Sequence, residues 1–470
     1  MTKDSANIDK DQTPRTKCRK KEFVPPDGGW GWIVCFTSLM ANGTALSILN
    51  IFGILYVYLL EEYTSDDPFI FFKTSWIGST CTIVTSLITV FARSWSEQYG
   101  IRLTAFFGAA LGVIGLFSSA FMQQLELLYL TFGLILGVGG GLISFTSIVI
   151  LEHYFKEHMG IAIGIVSMGS SICTVCLSIV LPFILESLGI KYTFIILGGL
   201  YCMLLLCSLT WKPLFHRKSE NPALLLYKET HFVNRCSCST KHRLNWKIFK
   251  NRTYLVWFLG FIFALFGYSV PIVHLVKHTQ DAFPGSYAFI LITCLQITSG
   301  LGSVIFKKIA DFKCVNNIYM QQCAFVLNGV LTVSIPFSES FEGLIIICLL
   351  LGVCDGIIMC SVDHTVFDIV GPSDASQATS FLLCGVSIPF AVGPPMAGLL
   401  YGHLHTYKIA YVVAGVPPII GAIIMCIIPR VQGSSPASTE TYAFGSTTIL
   451  DIDLASPSKL GSRKGYSPDD

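Results

Sequence analysis

Twelve stretches of predominantly apolar residues recur along the chain, at roughly 31–59, 75–92, 103–122, 127–150, 160–185, 192–211, 254–275, 287–306, 318–336, 343–367, 377–401 and 408–428. About 20 such residues suffice to cross a bilayer as a helix. Only helices and closed barrels satisfy their own backbone in hydrocarbon. The pattern predicts an all-α polytopic membrane protein. Composition agrees, since 52% of residues are hydrophobic and 13% charged, where a soluble domain carries about 25% charged.

A polar interruption at 212–252 divides the spans six and six. The expected layout is an N-terminal tail (1–29), a six-helix bundle (30–211), a central loop (212–252), a second six-helix bundle (253–430) and a disordered tail (431–470) rich in Ser, Thr, Pro and Asp. With the N-terminus inside, only Lys73, Lys191, Lys277 and Lys408 of the 31 Lys and Arg residues fall in outer loops. That asymmetry places both termini and the central loop in the cytoplasm. Asn42-Gly43-Thr44 and Asn251-Arg252-Thr253 match the glycosylation triplet, but one lies within a span and the other on the inner side, so neither is expected to carry a glycan. The 17 cysteines sit mostly in apolar segments as small buried hydrophobes, and Cys236-Ser237-Cys238 has no second pair to complete a metal site. No apolar core of a cleavable signal precedes Trp30. A net charge of +2 suggests no nucleic-acid partner. No nucleophile–base pair or phosphate loop is visible, so neither an enzyme nor a cofactor is expected.

The tenth span breaks the apolar pattern with Asp355 near its middle and Asp363-His364 two turns later. Such groups are costly in hydrocarbon and mark the route of a solute or ion. On the eighth span Thr293, Gln296, Ser299, Gly300 and Ser303 form one small, polar stripe at helical spacing. The size and polarity of Gln296 favour a cavity lining there. Ser167, Ser170, Ser171, Thr174 and Ser178 repeat the device on the fifth span, where close helix packing is the favoured reading. Gly267, Pro271, His274 and His278 share a face of the seventh span. His274, near its outer end, reads either as an interfacial residue or as a substrate contact or outer gate. Asn50 shares a face of the first span with Gly43 and Ser47 and can hydrogen-bond an amino or carboxylate group.

At the entry to the first span, Pro25-Pro26-Asp27-Gly28-Gly29-Trp30-Gly31-Trp32 resembles the signature of the monocarboxylate transporter (solute carrier 16) family of the major facilitator superfamily. Its prolines stop the chain before the bilayer, its glycines allow a tight entry, and its tryptophans suit the interface. That family's second signature is partly kept as Tyr154-Phe155-Lys156-Glu157-His158. Glu157 and His158 stand where basic residues are usual, which is expected to weaken a cytoplasmic contact. The resemblance covers nearly all of 25–430. It is nearest the branch that carries aromatic amino acids and thyroid hormones, through the segments 72–79, 265–275, 393–400 and 414–418. It implies two six-helix halves, related as parallel repeats, with a substrate path between them. The charged turns Arg93–Arg102 and Lys307–Lys313 resemble worn copies of that superfamily's loop between its second and third helices, and read equally as ordinary positive residues of inner loops.

Three positions depart from the resemblance. Asn50 stands where proton-coupled lactate carriers have a lysine, and Ser303, in Thr298-Ser299-Gly300-Leu301-Gly302-Ser303, where the branch has an arginine. Asp363-His364 replaces small apolar residues and reads as a gate, a relay or a mutually satisfied structural pair. Asp355 matches the family aspartate that acts with the missing arginine in relatives. Its carboxyl is then either neutral and hydrogen-bonded, or charged and paired with a cationic substrate group.

The leading expectation is a plasma-membrane secondary transporter working by alternating access, without proton coupling, on aromatic amino acids, thyroid hormones or related amphipathic organic solutes. The path is expected to involve Asp355, Ser303, Gln296, Ser299, His274 and Asn50. A proton-coupled monocarboxylate symporter is the alternative, and a transport-inactive relative serving as sensor or assembly partner is a third. The expected partners are a small organic solute, the lipid bilayer and, as in some relatives, an ancillary single-span glycoprotein.

Overall fold

The computed structural model describes residues 27–63, 67–213, 246–310, 312, 315–371 and 374–432. All lie in one compact unit, 1–434. Pro25, Pro26, Cys236-Ser237-Cys238, Asp311, Lys313, most of the central loop and the C-terminal tail fall outside the described residues.

The described chain is helical: α1 Trp30–Asn50, α2 Phe52–Glu62, α3 Ile70–Tyr99, α4 Ile101–Ser119, α5 Leu125–Leu128, α6 Leu136–Val149, α7 Met159–Thr210, α8 Arg252–Tyr268, α9 Val270–Ala282, α10 Phe289–Ala310, α11 Asn317–Ser334, α12 Phe341–Val370, α13 Ala375–Leu404, α14 Tyr407–Met425 and α15 Ile428–Gln432. A π-helical stretch, Tyr129–Ile135, joins α5 to α6. Eleven of the helices, some including these short joins, are long and apolar enough to cross a membrane. The 52-residue α7 is broken at Gly189, whose φ of 79° and ψ of 176° are not helical. Its limbs, 159–188 and 190–210, reach roughly 45 and 31 Å at 1.5 Å per residue. These are the fifth and sixth expected spans.

Two spans expected to be continuous are broken past their midpoints. α1 passes to α2 at Ile51, and α8 passes to α9 at Ser269. Pro271, in the first turn of α9, explains the second break, because its ring cannot follow an uninterrupted helix. The first carries no proline. Just past it the chain meets the second broken helix closely: a Cβ on Gly53 would overlap the carbonyl oxygen of Ile272.

Polar caps fix several entries. Asn251 Oδ1 accepts from the amides of Thr253 and Tyr254 at 3.0 and 3.3 Å, while its Nδ2 donates to the Ile369 carbonyl at 3.2 Å. Asn42 is buried and donates to the Val166 carbonyl at 3.4 Å. Both triplet asparagines are thus structural.

The residues of the two signatures interlock. Asp27 Oδ1 accepts from the Lys156 and Glu157 amides at 2.5 and 3.0 Å, and Trp32 meets Phe155 edge to face at 5.0 Å. A Cβ at Gly31 would stand 3.2 Å from the Phe155 ring, so glycine there keeps α1 close to this turn. The Glu157 contact with Asp27 is made by its backbone amide and not by its side chain.

One buried cluster gathers Val34 through Leu204 and takes in Val273, Val276, Ala288 and Ile292; two others draw their residues from α8 to α15 and the turn before α8. The first half is therefore packed onto the second along α9 and the start of α10. That region belongs to the side carrying the connections 63–69, 283–288 and 405–406, opposite the side where the chain enters at Asp27.

Candidate functional site: a cavity at two helix breaks

A cavity of about 190 Å³ lies between the halves. Residues flanking both breaks form its wall: Leu49, Asn50 and Phe52 from α1 and α2, and Tyr268, Ser269, Ile272 and Val273 from α8 and α9. Gly78, Ser79 and Thr82 of α3, Ser170 of α7, Met359 of α12, and Phe390 and Pro394 of α13 complete most of it. Interrupted membrane helices that line a cavity are where transporters place solute sites. The Ser79 and Ser269 hydroxyls are buried and have no partner. Asn50 donates to Thr174 Oγ1 on α7 at 3.3 Å and turns a partly buried amide to the cavity.

Asp355 stands behind this wall. The Tyr268 hydroxyl donates to its Oδ1, and the Ser299 hydroxyl donates to its Oδ2 at 2.5 Å. Tyr268 itself lines the cavity, with its ring edge to face with Phe390 at 5.9 Å and 84°. Asp355 as a whole is partly buried. Gly352 and Gly356 flank it, and a Cβ on Gly356 would stand 2.6 Å from the Ser303 amide and 2.7 Å from the Ser299 carbonyl. These glycines let α12 lie against α10 and press Asp355 onto Ser299.

That contact corrects the reading of the α10 stripe as a cavity lining. Gln296, Ser299 and Ser303 are absent from the cavity wall, and Gln296 is buried at 5% exposure. Thr293 instead shares a 2.7 Å hydrogen bond with Ser178 on α7, and Gly300 packs on Ser171. Ser303 donates to the Gly300 carbonyl of its own helix at 2.9 Å. The α7 stripe divides between packing and cavity, since Ser170 reaches the wall.

His274 is fully buried at 0% exposure, which removes the interfacial reading. Its Nε2 lies 2.8 Å from the Pro394 carbonyl and 3.5 Å from Ser75 Oγ, and its Nδ1 lies 3.3 Å from Tyr407 Oη. A carbonyl can only accept, so Nε2 donates and Nδ1 is left to accept from the Tyr407 hydroxyl. Tyr56 of the first half meets the imidazole edge to face at 5.0 Å. Around this centre Phe71 packs on Tyr401 at 4.7 Å, and Phe69 on His403 at 5.4 Å. Glycines 398 and 402 lie against the backbone of Phe71 and Pro68. The cavity is therefore closed on the side opposite Asp27 by contacts between the halves.

Asp363 and His364 are partly buried and two turns nearer the chain's entry side; His364 Nδ1 lies 3.2 Å from the Cys360 carbonyl one turn back. They stand roughly 12 Å along the helix from Asp355. Sequence reasoning missed Tyr268, Ser79 and Ser269 as site residues. The proline-interrupted seventh span was the available signal for Tyr268 and Ser269, and the segment 72–79 of the resemblance was the one for Ser79.

An all-helical membrane unit with a cavity at opposed helix breaks, closed at one end, defines a solute transporter of the major facilitator type. The family model of the Major Facilitator Superfamily matches residues 31–362 and 290–450. Monocarboxylate transporter 10 of Danio rerio is 39% identical over 417 residues, covering 88% of this chain and 80% of that protein. Monocarboxylate transporter 10 of Homo sapiens is 38% identical, covering 89% and 82%. Monocarboxylate transporter 12 of Xenopus laevis is 25% identical, covering 89% and 94%. The chain belongs to the monocarboxylate transporter family of the major facilitator superfamily. A crystal structure of a peptide transporter, POT, in complex with alafosfalin superposes with a TM-score of 0.66 at 12% identity, covering 87% of this chain and 97% of that one, a likeness of fold alone.

Proposed function

We propose that this transporter moves a compact aromatic or apolar amino compound across the plasma membrane by alternating access, without obligatory proton coupling. The aromatic amino acids are the first substrates to test. The bundles 30–211 and 253–430 are the two moving bodies, joined by the cytoplasmic loop 212–252 and flanked by cytoplasmic tails, 1–29 and 431–470. In that orientation the His274 contacts close the outer side, and the structure is an inward-facing state. The carrying observation is the cavity formed at the two opposed breaks. Its volume of about 190 Å³ lies below the ~300 Å³ at which pockets for drug-sized ligands begin. A one-ring solute fits it better than a two-ring iodothyronine. Asn50 presents an amide, not a titratable group, to the cavity wall.

Uptake of labelled aromatic amino acids and iodothyronines into proteoliposomes at several external pH values tests the reading. Equilibrating, pH-insensitive uptake of the one-ring solutes is expected, and strong stimulation of net influx by external acid overturns it in favour of symport. Family membership alone supports an ancillary single-span glycoprotein, which is tested by asking whether surface delivery in a heterologous cell needs a co-expressed partner.

A further inference from the structure

We propose that Ser79 and Ser269, one from each half, hold the carboxylate of the solute, so that the acid group is recognised by neutral hydroxyls at two helix starts and without a lysine or arginine. The inference rests on the transport reading above and names the residues by which the same cavity grips an amino acid.

Both hydroxyls differ from their neighbours. On α3, Thr74, Ser75, Thr82, Ser86 and Thr89 each donate to the carbonyl four residues back, at 2.7–3.0 Å. Ser79, only 3% exposed, makes no such bond, and its Oγ has no partner among the described residues. Ser269 immediately precedes α9, where a serine ordinarily caps the first amides. It makes no side-chain cap, and its hydroxyl is likewise unpartnered at 5% exposure. Both residues line the cavity. A buried donor without an acceptor is costly, and a solute oxygen removes that cost at each place.

The two serines lie at one depth. Ser75 Oγ is 3.5 Å from His274 Nε2 at the closed end, which ties α3 to α9 there. Ser79 is four residues inward from Ser75 and Ser269 five residues inward from His274, roughly 6 and 7.5 Å at 1.5 Å per residue. They therefore stand just inside the closure on the walls of the two halves, and the two oxygens of a carboxylate accept one hydroxyl each.

The electrostatics suit an anion. Among the described residues no Lys, Arg, His, Asp or Glu lines the cavity, and Asp355 behind the wall has its two oxygens taken up by Tyr268 and Ser299. The starts of two helices do line it, α2 through Asn50 and Phe52, and α9 through Ser269 and Ile272. A helix start carries roughly half a positive charge, and interrupted membrane helices present such starts to anionic solute groups. Charge and hydroxyl donors thus converge on one end of the cavity. The Tyr268 and Phe390 rings leave apolar surface for the solute's own ring.

Phenylalanine and phenylalaninol share a ring and an amino group and differ at the carboxylate. Initial rates into proteoliposomes of the full chain, less those into protein-free vesicles, at equal low concentration and pH 7, are expected to be at least tenfold higher for phenylalanine. Ser269→Ala is expected to reduce that preference to less than threefold, a change that a merely packing role for Ser269 would not bring. Ser79→Ala is expected to lower the maximal rate for phenylalanine at least fivefold and the preference by less than threefold, since Ser79 meets the carboxylate only once the outer side has closed. Phenylalaninol moving as fast as phenylalanine in the unaltered protein, an undiminished preference in Ser269→Ala, or an unchanged maximal rate in Ser79→Ala overturns the inference and leaves the transport reading standing. Movement of neither solute by monodisperse protein overturns both.

Discussion

Gly53 and the Ile272 carbonyl are in such close contact that no side chain fits between them. The contact joins α2 and α9, the second limbs of the two broken helices, across the halves. Gly53→Val is expected to hold the outer end open, at a cost of about 1–3 kcal/mol typical of overpacking. Transport should fall at least tenfold. A cysteine placed at Val273 should become reactive to an impermeant thiol reagent added from outside, and unchanged labelling would show that this contact does not close the path.

His274 is expected to act as the centre of the same closure. His274→Ala leaves the Pro394 carbonyl and the Tyr407 hydroxyl without their buried partner, a loss of about 1–3 kcal/mol per unsatisfied group. Uptake should drop by an order of magnitude while surface expression changes little. His274→Gln, which keeps a donor and an acceptor, should recover part of it. Equal failure of both variants would point to the ring stacking on Tyr56 instead.

Asp27 ties the entry of α1 to the turn before α7 through two backbone amides. Asp27→Ala should lower thermal stability by the equivalent of about 1–2 kcal/mol. Asn keeps the accepting oxygen and should lose far less. Glu157→Lys should leave this contact unchanged, since only the Glu157 amide takes part. Melting curves in detergent order the three variants.

Gly267 lies against the Ala414 carbonyl, where even a methyl group overlaps. Gly267→Ala is expected to cost about 3 kcal/mol, at the upper end for overpacking, because the obstacle is backbone. A low yield of monodisperse protein is the expected outcome. A normal yield and melting temperature would show that α8 and α14 can move apart at little cost.

Hydropathy made the spans readable at once, because an uninterrupted apolar run has few alternatives in a bilayer. Pro271 advertised the break between α8 and α9. The break at Ile51 carried no such mark, and the close approach of Gly53 beside it is to a helix more than two hundred residues away. Asp355 was legible because an acid in hydrocarbon is conspicuous. Its partners Tyr268 and Ser299 were not, being ordinary residues brought together by the glycines on either side of the acid. The same glycines explain why the α10 stripe was misread: a polar face looks alike from sequence whether it meets a cavity or another helix. His274 posed the equivalent problem at a helix end, where a headgroup and a packed tyrosine leave no different trace.

Asp355, Ser299 and Tyr268 all come from helices of the second half. A rocking of one half against the other leaves these three together, while Asn50 and Ser79 belong to the half that swings away. This hydrogen-bonded trio would then ride with one half through the whole cycle, while the opposite wall parts from it. Asn50 and Ser79 line the cavity from the half that moves away, so substitutions there should alter the turnover rate more than the choice of solute.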